Sequence, residues 1–150
     1  MKKLLLATTA AGLFAGAAAA EDIKLGVILG FTGPLESITP AMGAGAELAM
    51  AEVTESGALL DGSSVSSVRG DSTCIDAAAA TAAAERLVTT DKVNAIMGAD
   101  CSGVTGSILT NVAVPNGVVM ISPSATSPGL SHTNNEDQGM FFRTAPSDAR

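Results

Sequence analysis

The sequence predicts an α/β protein built on a doubly wound parallel sheet, and three observations predict it. Short strand-like runs recur at residues 23–29, 65–69, 93–97, 118–121 and 140–144, lengths that suit strands inside a covered sheet. Helix-length segments with apolar residues at four-residue spacing separate the first three runs, and another fills the gap before the fourth. Strand and helix alternate through loops rich in glycine and hydroxyl residues, the pattern of right-handed crossovers between parallel strands.

The first run, Ile23-Lys24-Leu25-Gly26-Val27-Ile28-Leu29, is mostly apolar and stops at Gly30. A turn-rich loop covers residues 30–40. From Met42 onward, Met42, Ala46, Ala49 and Val53 fall on one helical face while Glu47, Glu52 and Glu55 lie elsewhere, and Gly57 supplies the stop. Residues 65–69 read as the second strand. Residues 76–89 read as a helix, being rich in alanine, the best helix former, with Ile75, Ala79, Ala83 and Leu87 at four-residue spacing. Residues 93–97 form the third strand and 98–103 a loop. A helix then runs through about Val114 to the breaker Pro115-Asn116-Gly117, before the fourth strand at 118–121. Residues 140–144 predict a further strand, with Ser147-Asp148 placed to cap another helix. A crossover cut at its first turn is an odd natural end, so the sequence is expected to be a piece of a longer chain.

Residues 1–20 read as a secretory leader: Lys2 and Lys3 precede the apolar run 4–17, and Ala18-Ala19-Ala20 precedes Glu21-Asp22. A membrane span would need about 20 strongly apolar residues, whereas this stretch is mostly alanine with acids directly behind it. No cysteine stands at the expected cleavage point to accept a lipid. A product of residues 21–150, one domain by length, is therefore expected in the periplasm. Loss of Lys2 and Lys3 with the leader takes the formal charge from −7 to −9. So acidic a chain argues against nucleic acid as a partner.

The two cysteines, Cys74 and Cys101, read first as a disulfide, since an even pair in an oxidising compartment usually bridges. Such a bridge would contribute about 3.5 kcal/mol on the chain-entropy model. A metal site would need more ligands than this pair and the lone His132 supply, and a cysteine nucleophile paired with His132 is the other alternative. No G-x-G-x-x-G, G-x-x-x-x-G-K-[ST] or G-x-S-x-G spacing occurs. No catalytic residue, metal or cofactor is expected. Asp71 and Asp100 both follow strands and would make an acid pair if they met, though solvation or helix capping is their expected fate.

In an open α/β sheet, ligands sit beyond the carboxyl ends of the strands, which singles out the loops 30–40, 98–103 and 122–130. These are rich in glycine and hydroxyls and poor in charge, suited to holding a small polar ligand rather than to acid–base chemistry. Ser102 begins the helix after the third strand, where free amides and a hydroxyl would hold a carboxylate. Ser122-Pro123-Ser124-Ala125-Thr126 lies just past the fourth strand and would do likewise. The plain alternative for each is a turn or helix cap.

Taken together, Ile23-Lys24-Leu25-Gly26, Thr32-Gly33-Pro34, Cys74, Gly98-Ala99-Asp100-Cys101-Ser102 and the run 120–128 resemble the leucine/isoleucine/valine-binding family of ABC-transporter periplasmic proteins. The likeness covers essentially all of the chain after the leader. It implies the amino-terminal lobe of a two-lobed type I periplasmic binding protein, closing on an amino acid held between the lobes. It further implies a Cys74–Cys101 bridge, contacts from Ser102, Ser124 and Thr126 to the ligand's charged α-groups, an acid for the α-ammonium supplied by the second lobe, a permease partner in the inner membrane and a monomeric state. Ile38 stands near a point where leucine binders of the family often carry tyrosine, and is taken as a ligand contact that departs from the pattern. Receptors that sense amides or other small solutes without transport share the fold and form the alternative reading; a hydrolase is a distant third.

Overall fold

The computed structural model describes residues 22–59, 62–131, 137 and 139–149. The leader, His132 and the expected start at Glu21 lie outside the described residues.

Five parallel strands form one sheet: β1 (Asp22–Leu29), β2 (Ser64–Asp71), β3 (Ala95–Gly98), β4 (Val119–Ser122) and β5 (Phe141–Arg143), in the order β2-β1-β3-β4-β5. The change of direction after β2 makes the sheet doubly wound. Helix α1 (Thr39–Glu55) packs on β1 and β2 from one side. Helix α2 (Ala77–Thr89) and α3 (Ser102–Ile108) cover the other side, α3 running on through a π turn (Leu109–Ala113) into the short α4 (Val114–Asn116).

The main core lies between the sheet and α2/α3, with Ile28, Leu87, Ile96, Ile108 and Met120 fully buried. Leu87 is its keystone. A Cβ added at Gly26 or at Gly70 would come within 3.1 or 3.0 Å of Leu87 Cδ1, so these strand glycines form the socket that lets α2 approach the sheet closely. A smaller cluster of Val27, Leu29 and Met50 lies under α1. Above it, the Arg69 guanidinium stacks 5.0 Å from the Phe31 ring centre and forms a two-pronged pair with Glu47, at 2.7 and 2.8 Å.

The helix faces differ from those the spacing predicts. In α1 the buried positions are Thr39, Gly43 and Met50; Met42 and Ala46 are half-buried, and Val53 is 42% exposed. The helix begins at Thr39, not Met42, with Pro40 in its first turn, where a missing N–H costs nothing. In α2 the inward residues are Ala80, Ala84 and Leu87, while Ile75 precedes the helix and is 76% exposed. Alanine carries so little apolar contrast that its spacing marks a face only weakly. Asp76, expected as the first helical residue, is instead the cap, its carboxylate accepting from the Ala78 and Ala79 amides.

Strand β3 starts at Ala95 and β4 at Val119, each later than the apolar run; Val93 and Val118 are buried in the connections instead. Pro115 does not break the helix. The wider π turn ahead of it bonds the Val114 N–H to Leu109 O, and the chain leaves the helix only at Gly117, left-handed at φ +65°. The helix expected from Ser147-Asp148 does not appear within the described residues.

On the α1 side, Val27, Met97, Ile121 and Phe142 stand opposite one another across four strands. Exposure rises along this row, from 0% at Val27 to 45% at Ile121 and 54% at Phe142, because α1 packs mainly over β1 and β2, with Met97 of β3 at its margin.

Candidate functional site

All five strands run the same way, so the loops after β1, β2, β3 and β4 gather at one edge, and three links lock the first three of them together. Asp100, 4% exposed, accepts the Gly30 N–H through both carboxylate oxygens (3.2 and 3.1 Å) and the Ser72 hydroxyl (3.2 Å), joining the loops after β1, β2 and β3. Asp71 accepts the Thr32 hydroxyl at 2.6 Å and the Thr73 N–H at 2.8 Å. Burial acts against its charged form, but the hydrogen bonds from Thr32 and Thr73 outweigh it and hold the Asp71 carboxyl below the usual range. The two acids form no pair, since each is held by its own donors. Burial of Asp100 corrects the expectation of solvation or capping.

The third link is covalent. Cys74 and Cys101, 27 residues apart in sequence, are joined at an S–S distance of 2.02 Å, tying the loop after β2 to the start of α3. Metal and nucleophile readings of these cysteines lapse with the bridge. Gly98 lets β3 end against β1: at φ +136°, a Cβ there would lie 2.0 Å from Ile28 O, a place no side chain can enter.

On this frame Ser102, Ser124 and Thr126 come together. The Ser102 hydroxyl oxygen accepts the backbone N–H groups of Thr126 and Ser127, both at 3.1 Å, so the loop after β4 is bound directly to the first residue of α3. Ser124 donates its hydroxyl proton to Asp100 O at 3.0 Å. Thr126 donates to Asp148 Oδ2 at 2.7 Å, and the Asp148 N–H returns a bond to Thr126 O at 2.9 Å. Buried Ser122 supports the arrangement from below, donating to Ala99 O at 2.6 Å and accepting the Ala125 N–H at 2.9 Å. Arg143 donates to Ser127 O at 2.9 Å and to the Ser131 hydroxyl, closing the loop from behind.

Ile38 stands apart from this cluster. It precedes α1 on the loop after β1 and is 52% exposed, and the bonds that gather the three hydroxyls do not involve it. Sequence reasoning took Ser122 only as part of the run after β4 and Asp148 only as a helix cap, and it passed over Arg143. The Ser-Pro-Ser-x-Thr run was the available signal for Ser122, whereas Arg143 and Asp148 carry none, because only the fold brings them to the loop. An open depression of about 470 Å³ lies elsewhere, along α3, lined by Gly103, Gly106, Thr110 and Leu130 among others; none of the three hydroxyls borders it.

Carbonyls, amides and hydroxyls converge here on a frame with no free cysteine and no cluster of metal-ligating side chains among the described residues. That arrangement is an open-sheet α/β unit with polar groups gathered at its strand ends, the place where sheets of this kind hold ligands. Residues 22–150 match the family model described as periplasmic binding protein, and the chain belongs to that family.

It is 33% identical over 129 residues to the Leu/Ile/Val-binding protein of Escherichia coli K12, covering 86% of this chain and 34% of that one. It is 31% identical over 144 residues to the leucine-, isoleucine-, valine-, threonine- and alanine-binding protein of Pseudomonas aeruginosa, covering 96% and 37%. Among solved structures, the branched-chain amino acid transporter substrate-binding protein LivJ of Streptococcus pneumoniae, in complex with isoleucine, superposes with a TM-score of 0.73 at 34% identity, over 85% of this chain and 35% of that one. A benzoate complex of a solute-binding protein from R. palustris superposes at 0.69 with 25% identity, over 85% and 33%. The chain thus spans about a third of the length of the relatives it matches.

Proposed function

We propose that residues 21–150 are one lobe of a two-lobed periplasmic solute-binding protein, exported by the leader at 1–20, that captures a small aliphatic amino acid and delivers it as a monomer to the permease of an ABC transporter. The observation that carries this reading is the state of Ser102. Its oxygen accepts two loop amides, which leaves its own O–H free to donate outward from the first turn of α3, beside amides that have no acceptor within the helix. A carboxylate is the ligand group that such donors fit. Ser124 and Thr126 already donate within the protein and present lone pairs instead, so they suit the ligand's ammonium end; this differs from the expectation that Thr126 donates to the carboxylate. Ile38 offers apolar surface on the neighbouring loop for an aliphatic side chain.

Relatives solved or named with branched-chain amino acids support the ligand class, and the benzoate complex supports a carboxylate as the shared feature. The test is calorimetry on the complete gene product. Hydrogen bonds to a charged group are worth about 1.5 to 3 kcal/mol, so Ser102→Ala is expected to weaken leucine, isoleucine and valine binding roughly ten- to a hundredfold. Ser66→Ala, at an exposed strand position, leaves binding unchanged. The corresponding amines bind poorly to the unaltered protein. Equal affinity in the Ser102→Ala and unaltered proteins would overturn the site.

A further inference from the structure

We propose that Arg143 is a positioning residue for the carboxylate end of the site, acting on Ser102 through the main chain of the loop after β4; this rests on the amino acid reading above. Arg143 stands beside Ser122 in the β4–β5 register, and its guanidinium reaches into that loop. Nη1 donates to Ser127 O at 2.9 Å and to Ala125 O at 3.4 Å, and Nη2 donates to the Ser131 hydroxyl. The two carbonyls flank Thr126. The Thr126 and Ser127 N–H groups of the same loop both donate to Ser102 Oγ at 3.1 Å. Ala125 O and Thr126 N–H belong to a single peptide group and point opposite ways across it. The loop is therefore strung between a cation and a hydroxyl oxygen.

Two consequences reach Ser102. A hydroxyl has one proton and two lone pairs. With both lone pairs taken by amides that Arg143 holds in place, the Ser102 proton is left the remaining direction, away from the loop. The second consequence is electrical. Among the described residues the ion pairs are Arg69–Glu47 and Arg86–Asp91; the Arg143 charge goes to main-chain oxygens, and the Asp148 carboxylate bonds the Thr126 hydroxyl instead. A cation on the carbonyl end of a peptide strengthens the N–H at its other end, and hydrogen bonds in a chain reinforce one another. This chain runs from Arg143 through the 125–126 peptide to Ser102 Oγ, and ends at the proton that meets the ligand's carboxylate. Arg143 acts from behind the loop and is not itself a ligand contact.

Two measurements on the complete gene product test this. The first needs no ligand: hydrogen exchange over residues 124–131, read by mass spectrometry in the unaltered protein and in Arg143→Gln, which keeps a short amide donor and loses the charge and the fork. Exchange there is expected to quicken on the order of tenfold, while the β1 segment stays as slow as before. The second is a double-mutant cycle for L-leucine by calorimetry, with Arg143→Gln, Ser102→Ala and both together. Arg143→Gln is expected to weaken binding about tenfold, and to weaken it no further in the Ser102→Ala background. A residue that only stabilised the lobe would add its full effect there. Arg143→Lys keeps the charge but replaces the fork with a single donor group, and is expected to fall between Arg143→Gln and the unaltered protein. Unchanged exchange in Arg143→Gln, or effects of the two substitutions that multiply, overturns this assignment alone. Quickened exchange in Arg143→Gln, with no leucine bound even by the unaltered protein, overturns the amino acid reading and this assignment with it.

Discussion

At the scale of single residues, the candidate site is a set of decisions about where each proton goes, and Asp71 shows how such a decision couples to stability. Its carboxyl is held below the ordinary range by the Thr32 and Thr73 donors against the opposing effect of burial. The folded state therefore binds fewer protons at this group than the unfolded state. The resulting stability is fully present above the unfolded value, about 3.9, and is lost as pH falls through the lower folded value. Asp71→Asn is expected to destabilise the protein at pH 7 on the order of 1 kcal/mol. Urea midpoints measured from pH 7 down to pH 3 check this: the gap between variant and unaltered protein narrows in acid, and a gap independent of pH would show that Asp71 acts through shape alone.

At the scale of elements, α2 is held by one large side chain in an otherwise small-residue face. Leu87 is fully buried and seated over Gly26 and Gly70, while its inward companions Ala80 and Ala84 contribute little volume. Leu87→Ala is expected to cost about 2 to 5 kcal/mol, read as a lowered denaturant midpoint with unchanged slope. The corresponding change at Val53, 42% exposed on α1, shifts the midpoint far less. The order and type of the elements were legible in the sequence, because strand-length runs and helix-length periods alternate without ambiguity. Which face of α1 and α2 turns inward was not. Alanine and glycine fit either side of a helix, so the choice fell to Leu87, Met50 and the glycines beneath them.

At the scale of the whole molecule, the Cys74–Cys101 bridge adds a covalent tie between two loops that the Ser72–Asp100 hydrogen bond also joins. Its removal in a Cys74→Ser, Cys101→Ser protein is expected to lower stability by about 3 kcal/mol and to loosen the start of α3, where Ser102 sits. Unfolding of the oxidised protein, the reduced protein and the variant in urea checks this; equal midpoints for all three would show that the bridge is dispensable. Titration under denaturing conditions without reductant is expected to find no reactive thiol in the unaltered protein.

The sequence by itself determined the α/β class, the parallel winding and the pairing of the two cysteines, and it singled out three loops that the sheet gathers at one edge, because periodicity, cysteine count and turn residues are local or countable properties. It also located Ser102, Ser124 and Thr126 by their place after strands. Only the tertiary structure decided what those hydroxyls do. The Ser102 oxygen accepts the amides of Thr126 and Ser127, 24 and 25 residues away, and Thr126 donates its hydroxyl proton to Asp148, 22 residues on. Burial of Asp100 likewise depends on Gly30 and Ser72 arriving from two other strands. A hydroxyl's role is fixed by its partners, and those partners meet only when the sheet brings the ends of separate strands to one edge.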